Sequence, residues 1–123
     1  METRTLLTPN IYYLQHLPIM EQLTQLRNQY LELTNHVLPQ LAVSRNFPVR
    51  YNHCFQRIIL DNLFGRCWYK VLERKQEPAY KQLTAGQLEQ AIALANSIIA
   101  QPDSYLQQLN QNSLKYRGKP IAK

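Results

Sequence analysis

Glycine is scarce in this chain of 123 residues, which has only three, whereas glutamine occurs 14 times. Without a glycine-rich loop, the common nucleotide-binding modes that cradle phosphate on backbone N–H groups are excluded. So few glycines also argue against a fold that needs many tight turns. The composition instead favours long helices whose outer faces carry neutral polar side chains.

Cysteine is also scarce, and no long apolar run occurs. Cys54 and Cys67 stand thirteen residues apart, and the chain contains neither a Cys-x2-Cys nor a His-x3-His spacing, so we expect no metal and no cofactor. His53 and Cys54 are adjacent, and neighbours on a helix do not face each other, so no catalytic pair is predicted. No segment resembles a signal peptide or approaches the roughly 20 apolar residues of a membrane span. We therefore expect a cytoplasmic protein with no transmembrane segment.

Positive charge is in excess and is unevenly distributed. The 14 Lys and Arg against 8 Asp and Glu give a net charge of +6. Residues 1–49 carry three charges of each sign, residues 50–77 carry six positive and three negative, and residues 78–123 carry five positive and two negative. A basic second half favours contact with nucleic acid, anionic lipid or an acidic protein, without choosing among them.

The clearest periodic signal predicts a first helix that begins at Pro18 and that Pro39 stops or kinks. Its apolar residues recur at spacings of four and three, as in the a/d seam of a coiled coil. They are Ile19, Leu23, Leu26, Tyr30, Leu33 and Val37. This seam either packs inside its own bundle or pairs with a second copy of the chain, which makes a homodimer a possibility.

A second helix is predicted over 51–72 and is apolar around most of its circumference, which is typical of a central helix covered on several sides. Gly65 in its middle either permits the close approach of another helix or marks a kink. Two further helices are predicted at about 85–100 and about 103–116.

Local end signals support the last two helices. Thr84 and Gln87 form a capping box, and Gly118 suits the left-handed position after a helix end. We therefore predict an all-α, four-helix bundle-like single domain, with an arm at 1–17, a helical body at 18–117 and a basic tail at 118–123.

Polar side chains on the predicted central helix need a physical reason, since burying an unpaired charge costs several kcal/mol. His53, Arg57 and Asp61 follow at intervals of four and share one face. Arg50 and Asn62 lie near that line. One interpretation is a solvent-exposed edge of the helix that carries an Arg57–Asp61 ion pair. The other is a ligand or partner site, in which Arg57 binds the ligand, His53 hydrogen-bonds to it and Asp61 orients Arg57.

Basic residues in the second half define a candidate binding surface. They are Arg66, Lys70, Arg74, Lys75, Lys115, Arg117 and Lys119. Tyr69, Tyr80 and Tyr116 are interleaved with them and are candidates for stacking on bases. No helix-turn-helix or other known readout element accompanies them.

The stretches YNHCFQRIILDNLFGRCWY (51–69) and PAYKQLTAGQLEQAIALA (78–95), with RGK at 117–119, resemble a group of small proteins from cyanobacterial genomes. Some members carry the label GNAT-type N-acetyltransferase, so the resemblance implies acetyl transfer. Acetyltransferases of that type bind their cofactor on a loop of the pattern Arg/Gln-x-x-Gly-x-Gly/Ala. None of the three glycines, Gly65, Gly86 and Gly118, lies in such a pattern.

The residues favour a non-enzymatic binding or adaptor protein that uses its basic half to engage an acidic protein partner. A first alternative is a nucleic-acid-binding protein that uses the same surface with its tyrosines. A second is a small-ligand or acyltransferase-like site around His53, Arg57 and Asp61.

Overall fold

Helices account for most of residues 17–119, the part of the chain that the computed structural model describes. In chain order they are α1 (Ile19–Glu32), a π-helical turn (Leu33–Val37), α2 (Leu38–Leu41), α3 (Asn52–Phe64), a 3-10 turn (Trp68–Lys70), α4 (Ala79–Gln82), α5 (Ala85–Ala100) and α6 (Asp103–Tyr116). No strand occurs between residues 17 and 119, and the predicted all-α bundle-like fold is confirmed. The predicted arm, apart from Leu17, and residues 120–123 of the predicted tail lie outside the described residues.

The first predicted helix is present, but its hydrogen bonding changes before Pro39. The Pro18 carbonyl accepts from the Gln22 amide at 2.9 Å, so Pro18 is the N-cap residue and Ile19 is the first residue of the helix. A proline ring inside a regular α-helix clashes with the carbonyl four residues earlier, here that of Asn35. Asn35 lies within the wider π turn, and the chain stays helical through Pro39 to Leu41. Pro39 therefore does not stop the helix.

The apolar seam of this helix packs within its own chain. Leu26, Tyr30, Leu33 and Val37 are buried in the core. Ile19, at the start of α1, is 68% exposed. A homodimer through the seam would have to displace the protein's own core, because the same side chains cannot occupy both interfaces.

The central helix is shorter than the sequence indicates. Gly65 adopts φ +67° and ends α3, and the Arg66 amide bonds back to the Asp61 carbonyl at 3.1 Å, as in a Schellman motif. The prediction of one helix over 51–72 is wrong beyond Phe64. Gly65 is neither a kink nor a close-approach site, since a Cβ built there would meet nothing within 4 Å.

α3 nevertheless occupies the centre of the bundle. Its apolar side chains pack against the π turn, α5 and α6. Four of them, Phe55, Ile58, Ile59 and Leu60, are at most 1% exposed. Polar groups on this helix are therefore brought into the interior, and each needs a partner there.

The last two helices have the bounds that their end signals predict. The Thr84 hydroxyl accepts from the Gln87 amide at 3.1 Å, and the Gln87 side-chain oxygen accepts from the Thr84 amide at 2.9 Å. After α6, Gly118 adopts φ +69° and the Lys119 amide bonds to the Leu114 carbonyl at 2.8 Å. Gly118 therefore ends α6 in the left-handed conformation that the sequence predicts.

Arg45 anchors the loop between α2 and α3 to the turn between α5 and α6. Its Nε donates to Asp103 Oδ1 at 2.7 Å, and its two terminal nitrogens donate to the carbonyls of Ile99 at 2.9 Å and Gln101 at 2.6 Å. Hydrogen bonding to Arg45 holds the pKa of Asp103 below its ordinary value. The sequence offered no sign of this contact between distant segments.

Replacing Gly65 with alanine is expected to lower the free energy of unfolding by about 1–2 kcal/mol, because an L-residue is strained in the left-handed conformation. Gly86→Ala is the matched control. Gly86 lies inside α5 without a positive φ, and the space that a methyl group would take there is open, so the change should raise stability by roughly 0.4–1 kcal/mol. Urea unfolding followed by circular dichroism measures both. Equal effects of the two changes would contradict the proposed role of Gly65.

Candidate functional site

Asp61 is the fully buried centre of the polar line on α3. Its Oδ2 accepts from Arg117 Nε at 2.7 Å and from the Ser113 hydroxyl at 2.6 Å. Its Oδ1 accepts from the Trp68 amide at 2.9 Å and from Arg117 Nη2 at 3.2 Å. Four donors occupy this carboxylate, so Asp61 acts as an internal tie between α3, the 3-10 turn and the end of α6.

Arg117 is the ionic partner of Asp61, and the pair leaves little of Arg117 exposed. Burial by itself would lower the pKa of Arg117, but hydrogen bonds to Asp61 and Tyr69 outweigh burial and hold that pKa above its usual range. The guanidinium carbon also lies 4.6 Å from the centre of the Tyr69 ring. The negative charge of Asp61 is thus compensated by Arg117, a residue 56 positions away.

Arg57 does not pair directly with Asp61, although the spacing on the helix would permit it. Its two terminal nitrogens donate to the Ser113 hydroxyl at 2.8 Å and to Asn110 Oδ1 at 2.9 Å. Ser113 therefore stands between the two charges. Arg57 is half buried and has only neutral hydrogen-bonding partners among the described residues, and burial lowers the pKa of its guanidinium.

The other members of the predicted line do not join this network. Asn62 ties α3 to α6 by donating to the Leu109 carbonyl at 2.9 Å. His53 is exposed and stacks on Tyr51, with ring centres 5.9 Å apart. Arg50 is exposed and lies with Tyr51 at a separate shallow depression. The five predicted residues therefore do not form one site: Asp61 and Asn62 bind to α6 and Arg50 lies apart, whereas His53 and Arg57 line one depression, which is described below.

A concavity of about 800 Å³ brings together two basic segments that are distant in sequence. We call it the basic concavity. Its lining comes from residues 67–74, after α3, and from residues 115–119, at the end of α6. The cations in it are Lys70, Arg74, Lys115, Arg117 and Lys119. No Asp or Glu of the described residues lines it, and Arg117 alone among its cations is ion-paired with a carboxylate of the described residues, that of Asp61.

Two tyrosines also line the basic concavity, and they differ in availability. The guanidinium carbon of Arg74 lies 3.9 Å from the centre of the Tyr69 ring, and Arg117 lies over the same ring. A base that stacked on Tyr69 would thus compete with cations of this chain, although 43% of this residue is exposed. Tyr116 is 38% exposed, and no cation of residues 17–119 lies over its ring.

A second depression of about 410 Å³ lies beside Arg57. We call it the aromatic cleft, and its polar and aromatic lining residues are Asn35, His53, Gln56, Arg57, Trp68, Tyr69 and Tyr80. Asn35 comes from the π turn, and Trp68 from the 3-10 turn. Tyr69 lines both depressions, so the cleft and the basic concavity adjoin.

Only part of the basic and aromatic surface that the sequence predicts lines the basic concavity. Arg66 and Lys75 are exposed but do not line the basic concavity, and Tyr80 lines the aromatic cleft instead. Sequence reasoning missed Asn35, Gln56 and Trp68. The sequence signals near them were Gly65, which ends α3, and Pro39, before which the helix widens into the π turn. Neither signal shows that these three residues line one depression.

Comparison of the chain with models of protein families, with curated proteins and with solved structures finds no match. The resemblance to the cyanobacterial group therefore stays a prediction. Within residues 17–119, no three His, Cys, Asp or Glu side chains are grouped so that they could hold a metal ion. No helix in the same range has the length and apolar character needed to cross a membrane.

Proposed function

We propose that this protein is a non-enzymatic binding module that holds an acidic segment of a partner protein in the basic concavity. The observation that carries the proposal is the convergence of five cations from segments more than 40 residues apart, of which only Arg117 has an ion-paired carboxylate among the described residues. Convergence of like charges is unfavourable for the free protein, so an anionic partner would relieve it.

The chemistry of the concavity suits carboxylates. Arg74 presents an exposed planar guanidinium group that lies over the Tyr69 ring, and the lysines are exposed and adjustable, whereas the guanidinium of Arg117 is already bound to Asp61. Guanidinium groups bind carboxylates with two parallel hydrogen bonds, and lysines contribute point charges. An extended acidic segment could contact both kinds of cation along the concavity. Complementary charge of this kind chiefly raises the association rate and selects the partner.

Single-stranded nucleic acid is the second candidate, and the observation in its favour is the exposed Tyr116 ring within the same concavity. Aromatic rings beside cations are how such proteins stack bases while neutralising phosphates. Arg74 and Arg117 already lie over the Tyr69 ring and would compete with a base for it, which is why we place this candidate behind an acidic protein segment.

Fluorescence anisotropy with a labelled Glu-rich peptide and a labelled single-stranded oligonucleotide tests the proposal. Lys70→Gln with Lys115→Gln, which removes two cations of the concavity, should weaken peptide binding about tenfold, since each exposed pair contributes up to about 1 kcal/mol. The matched control is Arg66→Gln with Lys75→Gln, which changes the net charge equally but lies outside the concavity.

Three outcomes decide the matter. A selective loss in the Lys70/Lys115 variant supports the proposal. Equal losses in both double variants would show that binding follows net charge and not the concavity. Tighter binding of the oligonucleotide than of the peptide, with a steep fall in affinity as salt is added, would replace the protein partner with nucleic acid.

A further inference from the structure

We infer that the aromatic cleft is a binding site for a small anion that carries a flat aromatic ring. This site lies beyond the proposed function: it uses a different depression, although Tyr69 borders both. The inference rests on three features of the cleft. They are the charge of Arg57, the rings of Trp68 and Tyr80, and the side-chain amide atoms of Asn35 and Gln56 that have no partner among the described residues.

Charge balance supplies the first step. Asp61 is the carboxylate nearest to Arg57 along the helix face, and it is ion-paired with Arg117. The two hydrogen bonds of Arg57 go to the neutral Ser113 and Asn110, so the half-buried guanidinium has no direct counter-ion among the described residues. A guanidinium has five N–H donors, so further donors remain for a ligand. An anion in the cleft would offset the cost of burying this charge.

The second step is the shape and chemistry of the walls. Trp68 and Tyr80 enter the cleft from separate segments, after α3 and within α4, and both are half buried. Their rings offer apolar surface to a flat ligand, and ring pairs of this kind gain free energy beyond burial alone. A volume of about 410 Å³ is within the usual range of small-molecule sites.

The third step is a pair of amides at the cleft, that of Asn35 from the π turn and that of Gln56 from α3. Asn35 uses its oxygen to accept from Asn52 at 3.0 Å, and Gln56 uses its nitrogen to donate to Thr34 at 3.1 Å. The Asn35 NH2 and the Gln56 oxygen are left without a partner among the described residues. One donor and one acceptor match the amide-like edge of a nucleobase. Among aromatic anions, this favours a nucleoside monophosphate over an aromatic carboxylate.

The only tryptophan of the chain is Trp68, so its fluorescence reports on the cleft directly. The full chain is titrated with AMP, UMP, adenosine, inorganic phosphate and benzoate, with excitation at the red edge of the tryptophan band where these ligands do not absorb. We expect a saturable change with a monophosphate. Adenosine and inorganic phosphate alone should each bind at least about tenfold more weakly, because each satisfies one half of the site.

Variants locate the ligand. Arg57→Gln and Tyr80→Leu should each weaken binding about tenfold. Tyr105→Leu is the control, since Tyr105 is an aromatic residue of the same type that does not line the cleft. Tyr80→Leu leaves the Ser113 network intact, so it tests the site even if Arg57→Gln unfolds the protein. Tighter binding of benzoate than of AMP would support the aromatic-anion site and assign it to carboxylates.

Three results would overturn the inference. The first is no saturable signal from any ligand up to about 10 mM. The second is equal affinity for adenosine and AMP, since an anion would then contribute nothing. The third is unchanged binding in Tyr80→Leu, combined with loss of binding in the Lys70/Lys115 double variant, which would place the ligand in the basic concavity.

Discussion

Replacing Asp61 with alanine is expected to lower the free energy of unfolding by about 3–5 kcal/mol, the usual effect of removing one partner from a buried ion pair. The change leaves the Arg117 guanidinium, the Ser113 hydroxyl and the Trp68 amide without the carboxylate that all three now share. Chemical denaturation followed by circular dichroism measures the loss.

Asp103→Ala is the matched control for this prediction. Asp103 also pairs with an arginine, Arg45, at 2.7 Å, but its side chain is 31% exposed, so water replaces part of what is lost. We expect its change to cost clearly less than that of Asp61, because exposed ion pairs contribute little to stability. Adding Arg117→Leu to Asp61→Ala should recover part of the loss, because the unpaired buried cation is then gone. A loss for Asp61→Ala no larger than that for Asp103→Ala would contradict the role assigned to the buried pair.

Phe55→Ala is expected to lower the free energy of unfolding by about 3–5 kcal/mol, because a fully buried aromatic side chain is replaced by a cavity. Phe55 lies on the central helix α3 and meets the Phe47 ring edge-on, with ring centres 5.9 Å apart. The same denaturation measurement applies.

The half-buried Phe47 supplies the comparison for Phe55. Phe47→Ala removes the other ring of the pair from a position that water already reaches, so its cost should be clearly smaller. If the two substitutions cost the same, α3 is not the centre of the core, and the assigned architecture is at fault.

Local signals explain how much of the fold the sequence could predict. The bounds of α5 and α6 follow from residues next to each other in the chain: the Thr84–Gln87 capping box, the proline at 102 and the left-handed Gly118. The a/d pattern likewise marked Leu26, Tyr30, Leu33 and Val37, which are buried in the core, but the pattern alone left pairing with a second copy of the chain open. Such signals need no knowledge of distant contacts.

The end of α3 was mispredicted because apolar character continues past it. Cys67 is buried and Trp68 is half buried, but they pack on the bundle from a turn and not from a helix. Hydrophobicity alone does not distinguish the two. Gly65 was the only local sign of a helix end, and glycine within an apolar run is equally consistent with close packing.

The candidate sites depend on contacts that spacing cannot reveal. Burial of a charge on α3 correctly indicated that Asp61 needs a partner, but the i,i+4 rule pointed to Arg57, whereas Arg117 fills that role. Arg117 comes from the end of α6, which only the tertiary fold brings near. Because Arg117 pairs with Asp61, the charge of Arg57 is left without a direct counter-ion among the described residues.

The convergence of cations at the basic concavity has a consequence for the free protein. In the unfolded chain, residues 67–74 and 115–119 are far apart and their charges hardly interact, whereas in the folded chain they line one concavity and repel one another. Because dissolved ions gather at such a surface and shield it, the folded state gains more from the ion atmosphere than the unfolded state does. The protein should therefore resist heat better in moderately concentrated electrolyte than in dilute buffer.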